Sequence, residues 1–142
     1  MGYSGNSFLL IKRRSPKFYD GWYALVAGHV EPQETLTGAM LRELEEEVGV
    51  SHIKEADLTL ISLLSRVYEG LTYHDVIFAA PLPINWPLVL EVNKVGAAGW
   101  FRRDALPQNT IPYVRDAVQR FFASPQAATV HSYSMVAGEL LL

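Results

Sequence analysis

Residues 28 to 50, GHVEPQETLTGAMLRELEEEVGV, constrain the fold more than any other stretch of this chain. From about 35 to 48, Met40, Leu41, Leu44 and Val48 fall on one arc of a helical wheel, while Glu43, Glu46 and Glu47 fill roughly the adjoining 100°. One flank of such a helix must lie in a core, and Gly49 is placed to end it in a left-handed turn. The last turn is the difficulty. Glu43, Glu45, Glu46 and Glu47 crowd negative charge at the negative pole of the helix dipole, where a helix built only for stability carries Lys or Arg. Glu43 and Glu47, one turn apart, add a repulsion on the order of a few tenths of a kcal/mol. A divalent cation that prefers hard oxygen, Mg²⁺ or Mn²⁺, turns that repulsion into attraction, because such ions are held by carboxylates, waters and substrate phosphates.

The flanking sequence alternates between strand and helix patterns. SFLLIKR at 7 to 13 and WYALVAG at 22 to 28 read as strands, and LTLISLLSRVYEG and TYHDVIFAAPL read as an antiparallel pair separated by Gly70 and Leu71. AGWF at 98 to 101 reads as a further short strand. In NTIPYVRDAVQRFFA, Thr110 is a candidate N-cap, Pro112 suits the first turn, and Val114, Val118 and Phe121 or Phe122 recur at helical spacing. Strands with one early and one late helix predict an α/β layered domain, a mixed sheet between helices. A single domain over 1 to 125 is expected, with the apolar tail, 126 to 142, as a candidate added strand.

Composition narrows the chemistry. The 142 residues include 49% apolar side chains, enough for a core without covalent braces, and no cysteine, which excludes disulfides, thiolate zinc sites and cysteine nucleophiles. No apolar run is long enough to span a bilayer, so a cytoplasmic protein without membrane partners is expected. A net charge of -3 gives no electrostatic reason to bind a nucleic acid polymer, whereas a small phosphorylated ligand needs only a local cation.

The 28 to 50 segment resembles the Nudix box, GX5EX7REUXEEXGU with U a bulky aliphatic residue, at every position: Gly28, Glu34, Arg42, Glu43, Leu44, Glu46, Glu47, Gly49 and Val50. Seven fixed identities coincide by chance with a probability on the order of 10⁻⁸ per starting position. The resemblance implies a Nudix-like α/β/α sandwich that hydrolyses a nucleoside diphosphate linked to another group, by attack of metal-activated water on phosphorus. By similarity, Glu46 and Glu47 are the principal Mg²⁺ ligands and Glu43 a ligand through water or an orienter of the nucleophile. Gly28 faces the metal with its carbonyl, Glu34 orients, and Arg42 holds the carboxylates, suited to reach Glu46 or Glu34. The favoured reading is a Mg²⁺-dependent hydrolase of a nucleoside triphosphate or related derivative. The alternatives are an ADP-ribose or nucleotide-sugar pyrophosphatase, whose extra N-terminal elements this chain is too short to supply, and a nucleotide-binding regulatory module without turnover.

Outside the box the expectations are coarser. Trp22, Tyr23, Tyr68, Tyr73 and Trp86 are candidates to stack on a base, and Lys12, Arg13 and Arg14 cluster at a strand end where a phosphate contact is plausible; Arg13, Tyr23 and Tyr73 are the substrate-binding candidates. His29 and His74 read as hydrogen-bonding residues. Ala97 stands where many family members place an acid before a WF strand, and Glu91, Asp75 or Glu69 are the candidate substitutes. The family also commonly has a strand before the one at 7 to 13, for which six residues look too few. The vacant edge would be filled by the tail of the same subunit or of a partner in a homodimer.

Overall fold

The computed structural model of the chain describes residues 1–123, 129–136 and 139–141. Eight strands and two helices follow one another as β1 (Gly2–Ser4), β2 (Ser7–Arg13), β3 (Tyr23–Ala24), α1 (Leu36–Val48), β4 (Thr59–Tyr68), β5 (Leu71–Pro81), β6 (Val95–Arg102), α2 (Pro112–Ala123), β7 (Thr129–Val136) and β8 (Glu139–Leu141). The strands form one mixed sheet in the order β3, β2, β1, β5, β4, β7, β8, with β6 lying along β2. β1 with β5 and β4 with β7 run parallel; the other pairs are antiparallel.

β2 explains the layering. Phe8, Leu9, Leu10 and Ile11 are four consecutive apolar residues, all but inaccessible to water, which is the pattern of a strand covered on both faces. Ala39, Leu44 and Val48 of α1 are buried, as are Val114, Ala117 and Val118 of α2. Phe121 of α2 meets Phe8 edge-on at 6.1 Å and Tyr3 at 5.0 Å. The arrangement is the expected α/β class, a mixed sheet with two helices.

Five details differ from the sequence reading, the first being the second strand, which spans only Tyr23–Ala24 and not 22 to 28. A strand does precede β2: the Gly5–Asn6 turn pairs Ser4 with Ser7, so three residues suffice for β1, which also pairs Gly2 with Ala80 of β5. No edge of β2 is therefore vacant, since β6 runs along its length on one side and β1 and β3 share the other; the tail strand β7 lies beyond β4 instead. The turn between β4 and β5 is Glu69–Gly70, with Leu71 already paired to Tyr68. Thr110 does not cap α2 with its side chain; its hydroxyl donates to Pro107 O at 2.7 Å, and the carbonyl of Ile111 accepts the first helical N–H groups.

The Glu69–Gly70 turn has positive φ at both residues, 50° and 77°, the type I′ geometry whose twist matches a hairpin. A Cβ on Gly70 would meet no atom within 4 Å, so the backbone angle alone sets the cost of adding one. Gly70→Ala should lower stability by about 1 kcal/mol without loss of folding, measured as a fall in the urea midpoint at unchanged slope.

Candidate active site

The acidic helix is held at both ends by backbone partners. Thr35 is the N-cap, its hydroxyl accepting from Gly38 N at 3.0 Å. A Cβ on Gly38 would stand 3.0 Å from that oxygen, so the glycine inside the first turn keeps the cap accessible. At the other end Gly49 adopts φ 73°, and its N–H and that of Val50 reach the carbonyls of Glu45 and Leu44 at 3.0 Å each. The segment after β5 then closes the remaining turn: Glu91 N donates to Glu47 O at 3.1 Å, Val89 N to Val48 O at 3.0 Å, and Trp86 Nε1 to Gly49 O at 3.4 Å. These donors satisfy carbonyls that form the negative pole of the helix, which explains how four glutamates are tolerated beside it.

Arg42 gathers the charges. Its Nε and Nη2 grip Glu34 in a two-pronged pair at 2.9 and 3.0 Å; Nη1 donates to Glu43 Oε1 at 2.7 Å and to Glu46 Oε2 at 3.3 Å; Nη2 also donates to His29 O at 3.0 Å. All five guanidinium N–H donors are used. Arg42 beside it holds the Glu34 carboxyl below the usual carboxylate range. Both partners named for Arg42 in the sequence, Glu34 and Glu46, are in contact with it, and Glu43 is a third.

The three helix carboxylates are not equivalent. Glu43 and Glu47 are each only 5% exposed, whereas the Glu46 side chain is 46% exposed. Glu43 lies on the Cα of Gly28 so closely that a Cβ there would stand 1.7 Å from its Oε1. Only glycine fits at that position. Glu47 accepts from Ala27 N at 3.2 Å, and burial, with the charge of Glu43 adding to it, pushes its carboxyl up to about 7. Gly28, Glu34, Arg42, Glu43, Glu46 and Glu47 thus meet in one place, where the loop of residues 27–34 folds over the exposed flank of α1.

Among the described residues, no three His, Cys, Asp or Glu side chains already converge as a closed ligand set. The donor set still suits a hard cation. Buried carboxylates seated on a bare glycine, with a half-exposed one beside them, offer oxygen ligands and a mouth to water, and the raised Glu47 pKa records an unmet need for positive charge.

Other residues singled out in the sequence fall in different places. Arg13 Nε donates to Phe18 O at 3.1 Å, and its charge acts on Glu47. Tyr73 lies under Arg66 at 4.5 Å from guanidinium to ring, within a cluster that includes Phe18 at 5.3 Å and Tyr113 at 5.6 Å. Tyr23 bridges β2 and α2: its N–H donates to Asn109 O, its carbonyl accepts from Ile111 N, and its ring packs on Phe101 at 5.0 Å. Tyr68 and Trp22 pack on Phe18 and Tyr19, and Trp86 stacks on His52. His29 contributes its carbonyl to Arg42, while His74 is exposed on β5, opposite Ser65. Of the substitutes for Ala97, Asp75 is paired with Arg66 and Glu69 occupies the hairpin turn; Glu91 is tied by its backbone to Glu47. Sequence reasoning passed over Ala27, whose role is a backbone N–H without side-chain signature, and Lys94, which pairs with Glu91 at 3.2 Å.

The family model for the NUDIX domain matches residues 3–121, and the chain belongs to the Nudix family. It is 35% identical over 104 residues to the NAD-capped RNA hydrolase NudC of Chromobacterium violaceum, covering 72% of this chain and 37% of that one. It is 28% identical over 120 residues to the human NAD-capped RNA hydrolase NUDT12, covering 83% of this chain and 24% of that protein. The chain therefore spans between about a quarter and two fifths of the length of these relatives. Among solved structures, the MutT NUDIX hydrolase from Burkholderia pseudomallei superposes with a TM-score of 0.70 at 28% identity, over 82% of this chain and 89% of that one.

Two outcomes follow from the packing of the carboxylates. Gly28→Ala should displace Glu43 and reduce Mn²⁺ uptake by at least about tenfold while leaving the fold intact, as read by calorimetric titration with circular dichroism as control. The raised Glu47 pKa fixes a pH dependence: its favourable protonation is fully present below the ordinary value of 4.5 and is lost as pH rises to about 7. In chelator-treated protein, Glu47→Gln should therefore be more stable than wild type at pH 8 by on the order of 2 kcal/mol and should lose that advantage near pH 4.5, measured by thermal denaturation across pH.

Proposed function

We propose that this Nudix hydrolase cleaves the pyrophosphate linkage of a nucleoside triphosphate or a related nucleoside diphosphate derivative, with Mg²⁺ or Mn²⁺ as cofactor. The observation that carries the reading is the seating of Glu43 on Gly28 beneath Arg42, with Glu47 buried alongside. That arrangement concentrates carboxylate oxygen where a surface helix would be uniformly wet. Glu43, Glu46, Glu47 and the Gly28 carbonyl are the groups that would hold the cation. When bound, a hard divalent ion supplies acidity to water and neutralises charge on phosphoryl oxygens.

The chain's own residues do the rest. Arg42 fixes the carboxylates from a guanidinium that stays charged throughout the working range. Glu34 orients Arg42. One of the carboxylates accepts the proton that the attacking water gives up, and Glu46, half-exposed, is open to the incoming substrate. Arg13, whose charge acts on Glu47, is the candidate to meet a phosphate oxygen. Tyr73, whose ring packs on the Arg66 guanidinium, and Tyr23 are the candidates to meet a base.

A second substrate reading has its own support. The bacterial and human relatives are named for NAD-capped RNA, which contains the same linkage between two nucleosides. A dinucleotide, free or at an RNA end, therefore joins the triphosphates, ADP-ribose and nucleotide sugars as a substrate class to be tried, and the expectation of no nucleic acid polymer gives way to a direct test.

Product release from nucleoside triphosphates, ADP-ribose, NAD and NAD-capped RNA with Mg²⁺ separates these classes. Glu46→Gln and Glu47→Gln should each lower kcat by about 10² or more on whichever substrate is turned over. Turnover unaffected by both substitutions overturns the site assignment, and nucleotide binding without turnover on any substrate favours the regulatory-module reading.

A further inference from the structure

The segment that closes the end of α1 also carries a lysine, Lys94, paired with Glu91 beside the acidic helix. Lys94 N and Val95 N both donate to Glu91 O, at 2.9 and 2.8 Å, making a tight turn. Within that turn Lys94 Nζ meets Glu91 Oε2 at 3.2 Å. Because Glu91 N itself donates to Glu47 O at 3.1 Å, the ion pair is anchored to the acidic helix, and the ammonium acts on both Glu43 and Glu47. The far side of the turn is fixed as well. Arg14 N donates to Lys94 O at 2.8 Å and Arg14 Nη1 to Val92 O at 2.7 Å, so the segment is clamped between β2 and α1.

Two of the cations near the carboxylates, Arg42 and Lys94, differ in freedom. Arg42 has all five donors committed within the cluster and cannot turn to a ligand without releasing one of its acceptors. Lys94 has a side chain 52% exposed, on a flexible stem, and its ammonium stands within ion-pair distance of Glu91 Oε2. A mobile, hydrated ammonium beside buried carboxylates can counter their charge when nothing else does and can meet an incoming anion when something else does.

We propose that Lys94 is a phosphate-binding residue of this site: in the free protein its ammonium stands in for the cation at Glu43, Glu47 and Glu91, and on substrate entry it transfers to a phosphate oxygen. The inference rests on reading the helix carboxylates as the metal site. It has a consequence that a merely structural lysine lacks. Lys94 competes with a divalent ion in the free protein and cooperates with it once a nucleotide is present, so its removal moves the two affinities in opposite directions.

The test uses Mn²⁺ alone, followed by electron paramagnetic resonance, and then ADP titrated in saturating Mn²⁺, on wild type, Lys94→Ala, Lys94→Gln and Lys94→Arg. Lys94→Ala and Lys94→Gln should bind Mn²⁺ about two- to fivefold more tightly than wild type, the range of a solvent-screened charge pair. They should bind ADP about tenfold or more weakly, and raise KM on the turned-over substrate, as loss of a charge-assisted bond requires. Lys94→Arg should retain ADP binding to within about threefold, since the charge is kept. Wild type that takes up no Mn²⁺ overturns the reading of the carboxylates and this proposal with it. Wild type that binds Mn²⁺, with Lys94→Ala and Lys94→Gln unchanged or altered in only one of the two affinities, overturns the role of Lys94 alone.

Discussion

Everything at this site hangs on one guanidinium. Arg42 is the point at which the loop of residues 28–34 and the exposed face of α1 are joined, through Glu34 and the His29 carbonyl on one side and Glu43 and Glu46 on the other. A lysine at this position would present a point charge with three rotating donors and would leave at least two of these acceptors unmet. The planar fork matters as much as the charge, because the paired contact with both oxygens of Glu34 fixes the plane in which the remaining donors lie. With that plane set, Glu43 has one place to go, the bare Cα of Gly28. Geometry and electrostatics are thus decided together.

The acidic turn of α1 shows how a local conflict is settled by distant parts of the chain. Its side chains oppose the helix dipole, and no basic residue lies in the last turn to relieve them. The relief comes from N–H groups some forty residues further on, at Val89 and Glu91, which satisfy the terminal carbonyls directly. Backbone donors remove the exposed negative pole without neutralising the carboxylates. A helix repaired in this way keeps its charge available for a cation, whereas one repaired with lysines on its own surface would have quenched it.

What was legible in the sequence follows the same division between near and far. The helix, its glycine terminator and the identity of the acidic residues are all properties of 23 consecutive positions, and each appears in the fold. Long strands were readable for the same reason, since Phe8 to Ile11 or the paired runs around Glu69 carry their periodicity within themselves. The misses are partnerships across the chain or choices between local geometries. Three residues before a turn look insufficient until β5 supplies a second neighbour for them. Thr110 has the chemistry of a cap but spends its hydroxyl on Pro107. The helical wheel placed Glu43, Glu46 and Glu47 on one polar face, and only the loop folding over that face buries two of them and leaves the third half in water. Lys94 pairs with Glu91 in a turn whose backbone is tied to Glu47, a relation that no spacing within the chain announces.

The smallest strand has a consequence for how the chain assembles. β2, β3 and β6 make one group of strands and β4, β5 and β7 another, and β1 is where the two are stitched together, through Phe8 on one side and Ala80 on the other. A Cβ on Gly2 would stand 2.3 Å from a methyl of Leu82, so the seam is drawn tight. Joining residue 2 to residue 80 demands a far larger loop closure than the hairpins on either flank, which bring together near neighbours. β2 with β6, from Ser7 to Arg102, closes a larger loop still, so the two longest closures between strands of the sheet fall on its N-terminal strands and are the natural late steps of folding, after the hairpins have formed.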